Sequence, residues 1–184
     1  MASLVPWCER GDLGGVLRAL RSREGVNGGG REGKTGLMAA VANQHNSILQ
    51  LLLQHPWVDV DCQDRGGLTA LHWSVQGENL EGLRLLLAHP GMGSLDTRDA
   101  GGRTPLMLAV SKGSLACARE LVGVEGVDLD TRDGQGRSLE EVARARGSAE
   151  VERLIRDARR PAGGPGAGGE QAGGGGGSEC PVLL

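Results

Sequence analysis

Aromatic residues are almost missing from this sequence of 184 residues: it has no phenylalanine, no tyrosine and three tryptophans. A core must therefore be built from aliphatic side chains. The four cysteines lie far apart without a CxxC pair, which favours reduced thiols in the cytosol or the nucleus over a disulfide framework or a zinc site. No apolar run approaches the ~20 residues that span a bilayer, and no secretory signal is visible, so neither a membrane protein nor a secreted one is expected.

The chain also lacks an excess of positive charge. Its net charge is −3, so the molecule as a whole is not expected to be attracted to nucleic acid or anionic lipid.

A repeated pattern is the main feature that the sequence does contain. Four stretches can be superposed, beginning at Val26, Val60, Leu95 and Leu129, with steps of 34, 35 and 34 residues. A fixed period of this length is typical of a solenoid, in which each repeat packs on the next. Such a stack offers an extended surface to another macromolecule, not an enclosed pocket for chemistry.

Each repeat predicts a turn followed by two helices. In each repeat a glycine lies two positions before a hydroxyl residue that can cap the first helix. These hydroxyl residues are Thr35, Thr69, Thr104 and Ser138. A leucine-rich second helix follows. The pairs His55–Pro56 and His89–Pro90 end two of these second helices, because the residue before a proline disfavours helical backbone.

These segments resemble the ankyrin repeat. GLTALHWSV from Gly67 and GRTPLMLAV from Gly102 are similar to its turn and first helix, and NLEGLRLLL from Asn79 is similar to its second helix. The resemblance runs from about Asp12 to Arg156. It implies an all-α solenoid and a non-catalytic role in protein binding, as an adaptor, scaffold or inhibitor.

Two departures from the family pattern stand out. The period is one or two residues longer than the usual ~33. The last unit has Glu140 and Glu141 where the signature has apolar and histidine residues. Terminal repeats need a polar outer face, so a C-terminal cap is predicted, with an arginine-rich helix from Leu139 to Arg159.

The predicted organisation is one ankyrin-repeat domain over residues 1–160, followed by a tail. The domain divides into a cap at 1–30, three fuller repeats at 31–64, 65–99 and 100–133, and a cap at 134–160. Residues 161–184 contain ten glycines and are expected to be disordered. The protein is expected to be a monomer.

By the family resemblance, partners bind a concave surface made of the finger-like turns and the ends of the first helices. The positive residues at those positions are Arg31, Lys34, Arg65, Arg98, Arg103, Arg132 and Arg137 in the fingers and Arg10, Lys112 and Arg146 at the helix ends. Only Glu9 and Glu32 oppose them there. An acidic protein segment is the predicted ligand, held by arginine–carboxylate pairs. The alternative is that these arginines are solvated, some of them paired with Asp99 and Asp133.

Two tryptophans and one histidine have structural interpretations. Trp57, after a second helix, and Trp73, on a first helix, are expected to pack between repeats; for Trp57 the alternative is an exposed contact with a partner. His72 is expected to bond to neighbouring turns and not to act in catalysis. The sequence predicts no catalytic residue, no metal ligand and no cofactor.

Gly28–Thr35, GGGREGKT, matches the phosphate-loop pattern and would suggest a nucleotide-binding enzyme. Gly33 and Thr35 are already explained by the repeat register, however, so this function is an alternative only. A nucleic-acid binder using the basic groove is a further alternative, although aromatic stacking residues are missing beside the arginines.

The last residues, SECPVLL, allow one more interpretation. Val182 and Leu184 can form a C-terminal ligand for a PDZ domain, and a tail without function is the alternative. Cys180 is fifth from the end, so the prenylation pattern is not met.

Overall fold

The computed structural model describes residues 4–21 and 25–160. Within these residues the chain forms five pairs of α-helices and a single 3-10 turn at Arg31–Gly33. The helices are α1 (Val5–Arg10), α2 (Leu13–Leu20), α3 (Gly36–Ala42), α4 (Asn46–Leu53), α5 (Ala70–Gln76), α6 (Leu80–Leu87), α7 (Pro105–Lys112), α8 (Leu115–Val122), α9 (Leu139–Arg146) and α10 (Ala149–Ala158). Not one of these helices has the length and apolar character needed to cross a bilayer.

The helices form two layers that run the length of the stack. In one layer the first helix of each pair packs on the next first helix, from α1 through α3, α5 and α7 to α9. In the other, the second helices α2, α4, α6, α8 and α10 pack in the same order. A continuous aliphatic core lies between the layers. The predicted all-α solenoid is therefore confirmed.

Hydroxyl caps fix where the first helices begin. Thr35 Oγ1 accepts from the Met38 amide at 3.3 Å, and Thr104 Oγ1 accepts from the Met107 amide at 3.2 Å. Ser138 caps α9 in the same way. Each cap supplies a partner to an amide that has none inside its helix.

The C-terminal cap differs from its prediction. A single helix from Leu139 to Arg159 was expected, but Gly147 ends α9 in a left-handed conformation (φ 73°) and α10 begins after Ser148. Glycine adopts this conformation without the steric penalty of a Cβ atom. The break turns α10 back, so that Val151 and Ile155 are buried in the core.

His72 joins two neighbouring repeats, as its structural interpretation predicted. The residue is fully buried. Its Nδ1 accepts from the Thr69 amide at 3.2 Å, and its Nε2 lies 3.0 Å from the Arg103 carbonyl oxygen. The neutral imidazole with its proton on Nε2 satisfies both contacts. Burial lowers the pKa of His72 and outweighs the opposing effects of the Arg103 carbonyl and Asp99.

This burial predicts a pH dependence of stability between pH 7.5 and 5.5. His72 binds a proton less readily when folded than when unfolded, so its contribution is complete above the unfolded pKa of about 6.5 and is lost as the pH falls. The free energy of unfolding should decrease by up to about 1.4 kcal/mol per pH unit in this range. Urea unfolding of the wild type and of His72→Gln checks it; equal slopes against pH in both would contradict the assignment.

Candidate protein-binding surface

The fingers are the turns that precede the first helices, and backbone hydrogen bonds join each finger to the next. The Arg65 amide donates to the Glu32 carbonyl oxygen at 2.8 Å, the Ala100 amide to Gly66 at 2.8 Å, and the Gly134 amide to Gly101 at 2.9 Å. These bonds hold four finger tips in a row, over Arg31–Gly33, Asp64–Gly67, Asp99–Gly102 and Asp133–Gly136. We call these tips, together with the exposed ends of the first helices, the finger surface.

An aspartate shapes each of the last three fingers. Asp99 Oδ1 accepts from the Gly101 amide at 2.9 Å and from the Arg103 amide at 2.8 Å. Asp64 and Asp133 make the same pair of bonds within their own fingers. A side chain that accepts from amides two and four residues ahead closes the turn and presents its tip in a defined conformation.

The second carboxylate oxygen neutralises an arginine in two of the fingers. Arg103 and Asp99 form a salt bridge of 2.7 Å, and Arg137 and Asp133 form one of the same length. Both aspartates are buried. Burial alone would raise the pKa of Asp99, but the hydrogen bonds from Arg103 outweigh it and hold that pKa below its ordinary value. Arg103 and Arg137 are thus paired within their own fingers, as the alternative interpretation of the basic face described.

Arg98 and Arg132 are also engaged in the fold. Arg98 Nη1 donates to the Gly102 carbonyl oxygen at 3.0 Å and to the Arg132 carbonyl oxygen of the next finger. Arg132 Nη1 donates to the Gly136 carbonyl oxygen at 2.8 Å. Both side chains therefore brace the backbone of the fingers, although they are exposed.

Arg31 and Arg65 differ from these four arginines. Both lie at finger tips and are exposed, and no hydrogen bond or ion pair engages either guanidinium group in the part of the chain that the structure describes. The carboxylate equivalent to Asp99 is missing from the first finger, where Gly30 stands. In the second finger, the carboxylate of Asp64 accepts hydrogen bonds from the amides of its own finger and from Trp73 instead of pairing with Arg65. These two guanidinium groups are therefore available to an incoming anion.

The central repeat replaces an ion pair by an aromatic contact. Leu68 occupies the position that Arg103 and Arg137 hold in the later fingers, so Asp64 has no arginine partner there. Instead, Asp64 Oδ2 accepts from Trp73 Nε1 at 2.9 Å. The ammonium group of Lys34 lies 3.8 Å from the centroid of the Trp73 ring, a cation–π contact. Burial lowers the pKa of Lys34, against the opposing charges of Glu9, Asp64 and Glu32.

Trp73 is half-buried against the core and contacts Lys34 of the preceding repeat, so the prediction that it packs between repeats is confirmed. Its contribution to the binding surface was not predicted, although the alignment of the repeats contained a signal. The equivalent positions in the other repeats are Ala39, Leu108 and Val142, which are smaller and cannot donate a hydrogen bond. Trp73 is the one tryptophan among these four equivalent residues, and Leu68 is the one apolar residue where the other repeats have Lys34, Arg103 and Arg137. Both positions mark the central repeat as different.

Trp57 and Lys112 are two further predicted contacts; Arg10 and Arg146, also predicted at the ends of first helices, are exposed. The expectation that Trp57 packs between repeats is wrong, because 63% of the residue is exposed. Asn27 holds the backbone there, donating to the Trp57 carbonyl oxygen at 2.8 Å and accepting from the Asp59 amide at 2.9 Å, so the indole is presented to solvent. Lys112 Nζ, at the end of α7, donates to the Gln76 carbonyl oxygen of the preceding repeat at 2.7 Å.

The segment Gly28–Thr35 does not form a phosphate cradle. Its amides are used inside the loop: Gly30 donates to Lys34 at 2.8 Å, and Gly33 donates to Gly30 at 3.2 Å. Lys34 itself is directed to Trp73. Among the described residues there is also no group of three metal-ligating side chains. The proposed tail ligand, Val182 and Leu184, lies outside the described residues.

Comparison with known proteins decides the family. A family model for ankyrin repeats in three copies matches residues 7–96 and again residues 37–133. Together the two matches cover residues 7–133, or 127 of 184 residues. The chain belongs to the ankyrin-repeat family. This confirms the family that the sequence analysis named. Ankyrin repeats generally act as modules for protein–protein interaction, typically bind protein partners and are generally not enzymes.

Individual relatives match this chain over a small part of larger proteins. The NF-kappa-B p105 subunit of Gallus gallus is 30% identical over 141 residues, which cover 76% of this chain and 14% of that protein. Rabankyrin-5 of Mus musculus is 29% identical over 131 residues, covering 53% of this chain and 11% of that protein. BTB/POZ domain-containing protein 1 of Schizosaccharomyces pombe is 42% identical over 82 residues, covering 44% and 6%. The chain therefore spans a small part of the length of these relatives.

Proposed function

We propose that this chain is a non-catalytic binding module that holds an acidic segment of a partner protein on its finger surface, as an adaptor, scaffold or inhibitor. The observation that supports the proposal is the state of Arg31 and Arg65. Both guanidinium groups are exposed and unpaired in the described structure, while four other finger arginines are bonded within the fold. Among the finger arginines, those without a partner inside the described fold therefore lie in the first two fingers.

Arg31 and Arg65 are suited to recognise carboxylates. A guanidinium group presents a planar set of donors that binds a carboxylate through two parallel hydrogen bonds. Because neither guanidinium group forms a hydrogen bond or an ion pair inside the described fold, no internal ion pair has to break when a ligand binds. Exposed charges act mainly on the rate of association and on the choice of partner, so the interaction should weaken as salt is raised.

Several finer features belong to the same proposal. They are the division into an ankyrin domain at 1–160 and a tail at 161–184, a monomeric state, a cytoplasmic or nuclear location, a contact of the partner with Trp57, and capture of Val182 and Leu184 by a PDZ domain. The tail proposal is separable from the finger surface, because its ligand residues lie at the other end of the sequence.

A double charge reversal tests the finger surface. Arg31→Glu with Arg65→Glu should reduce recovery of partner proteins from native lysate by at least about tenfold, as expected when two arginine–carboxylate pairs are replaced by repulsion. The fold should be retained, since neither side chain has a partner in the described structure. Quantitative mass spectrometry of the captured proteins, at two salt concentrations, provides the measurement.

The matched control reverses two exposed arginines on second helices. Arg18→Glu with Arg119→Glu makes the same change in net charge on α2 and α8 and should leave recovery unchanged. Equal loss with both pairs would contradict a specific site and indicate a general charge effect. A chain ending at Arg160 forms the third arm: proteins lost only with this truncation depend on the tail.

A further inference from the structure

The aromatic ring on the central repeat is held in a single orientation. Trp73 Nε1 donates to Asp64 Oδ2, and Asp64 Oδ1 in turn accepts from the amides of Gly66 and Leu68 at 2.8 and 2.9 Å. The carboxylate is therefore anchored by its own finger and in turn anchors the indole. A tryptophan fixed in this way loses little conformational freedom when a ligand packs on it, a property shared by the anchor residues of binding sites.

The surroundings of the ring combine apolar and positively charged groups. Leu68 replaces the charged residue found in the later fingers, so the second finger has an apolar side chain where they have a salt bridge. Lys34 reaches the ring from the preceding repeat. Arg31 and Arg65 lie at the tips of the same two fingers. Two acidic residues lie at the tips of these two fingers: Glu32, next to Arg31, and Asp64, whose carboxylate is bonded to the indole.

We propose that Trp73 and Leu68 form a specificity site for one large apolar side chain within the acidic segment, with carboxylates on either side of that residue bound by Arg31, Lys34 and Arg65. This inference rests on the proposed function and deepens it. Acidic residues alone would satisfy the arginines but would leave the exposed parts of the half-buried indole and leucine without an apolar contact. A ligand with both features desolvates the apolar centre and pairs the surrounding charges, which is the arrangement of a strong binding centre.

The next repeat of the same chain provides a variant that removes the site and keeps the fold. Leu68→Arg with Trp73→Leu gives the central repeat the residues that stand at Arg103 and Leu108. The new arginine is expected to pair with Asp64 as Arg103 pairs with Asp99, so that the finger keeps a partner for its carboxylate. Trp73→Leu alone is a second variant, because Leu108 shows that a first helix accommodates leucine at this position.

A selection with random 12-residue peptides displayed on phage tests the inference on the full chain. Enriched peptides are synthesised, and their dissociation constants are measured by fluorescence anisotropy. We expect a large apolar residue flanked by Asp or Glu in the enriched peptides. Their affinity should fall at least tenfold with Leu68→Arg/Trp73→Leu and with Trp73→Leu, and should not change with the control pair Arg18→Glu/Arg119→Glu.

Two results separate failure of the inference from failure of the proposed function. If affinity is lost with Arg31→Glu/Arg65→Glu but retained in both Trp73 variants, the acidic-segment function stands and the specificity site is wrong. If the enriched peptides lack acidic residues and bind the double arginine variant as well as the wild type, both are wrong. Far-ultraviolet circular dichroism and thermal unfolding confirm that each variant is folded before its affinity is compared.

Discussion

Replacing Gly102 by alanine is expected to lower the free energy of unfolding by about 3 kcal/mol. Gly102 has a φ of 71°, and a Cβ atom there would lie 2.7 Å from the Gly134 nitrogen and 2.9 Å from its Cα. These atoms belong to the backbone of the next finger, so the clash cannot be relieved by the rotation of a side chain. The two fingers would have to separate, which strains the hydrogen bond from the Gly134 amide to the Gly101 carbonyl oxygen. Loss of that hydrogen bond costs about 1–3 kcal/mol. The left-handed backbone of an alanine adds about 1–2 kcal/mol, the usual cost for a non-glycine residue.

Gly136 supplies the matched control for this prediction. Its φ is 78°, but nothing lies within 4 Å of a Cβ atom built there. Gly136→Ala should therefore show only the backbone cost of about 1–2 kcal/mol. Urea unfolding of both variants gives the difference, which measures the contact between fingers. Equal destabilisation by the two substitutions would mean that the fingers tolerate separation and that the close approach is unimportant for stability.

Leu71→Ala is the second substitution with a large expected effect. Leu71 is 1% exposed and lies on α5, which packs against α3, α6 and α7. Removing three buried carbons should destabilise the protein by about 3 kcal/mol, within the range of about 2–5 kcal/mol for such cavities. In a solenoid each repeat is stabilised by its neighbours. Loss of hydrogen-exchange protection should therefore extend from α5 into α3, α4, α7 and α8.

An exposed leucine on the N-terminal pair gives the comparison. Leu17 is 45% exposed, so Leu17→Ala should change the free energy of unfolding by about 0.5 kcal/mol or less. Hydrogen exchange followed by mass spectrometry resolves where protection is lost. If Leu71→Ala opened α5 and α6 alone while the adjacent repeats stayed protected, nearest-neighbour coupling would be much weaker than the continuous core implies.

The repeat stack could be predicted because local signals recur at a fixed spacing. Thr35, Thr104 and Ser138 cap their helices through contacts three residues away, and such short-range chemistry is visible in sequence. The same reasoning failed at the C-terminal cap. Two adjacent residues, Gly147 and Ser148, end one helix and begin the next, and the helical pattern on either side conceals a break of this length.

Which basic residues of the finger surface have partners could not be derived in the same way. The sequence allowed pairing with Asp99 and Asp133 only as an alternative, whereas the structure separates Arg31 and Arg65, which have no such partner, from Arg103, which pairs with Asp99. The contact of Lys34 with Trp73 spans 39 residues and depends on how one repeat lies against the next. Comparing equivalent positions finds the unusual residue, but only the packed geometry shows what that residue touches.

Lysine is rare in this protein, and its placement has a practical consequence. The sequence contains two lysines among 20 lysine and arginine residues. Lys34 lies over Trp73, and Lys112 reaches across to the Gln76 carbonyl oxygen, so both side-chain amines are on the finger surface. Coupling the protein to a sensor chip or a dye through side-chain amines would therefore label the very face that is proposed to bind, and attachment through another group is required. Conversely, protection of these two amines from acetylating reagents gives a footprint of an occupied site.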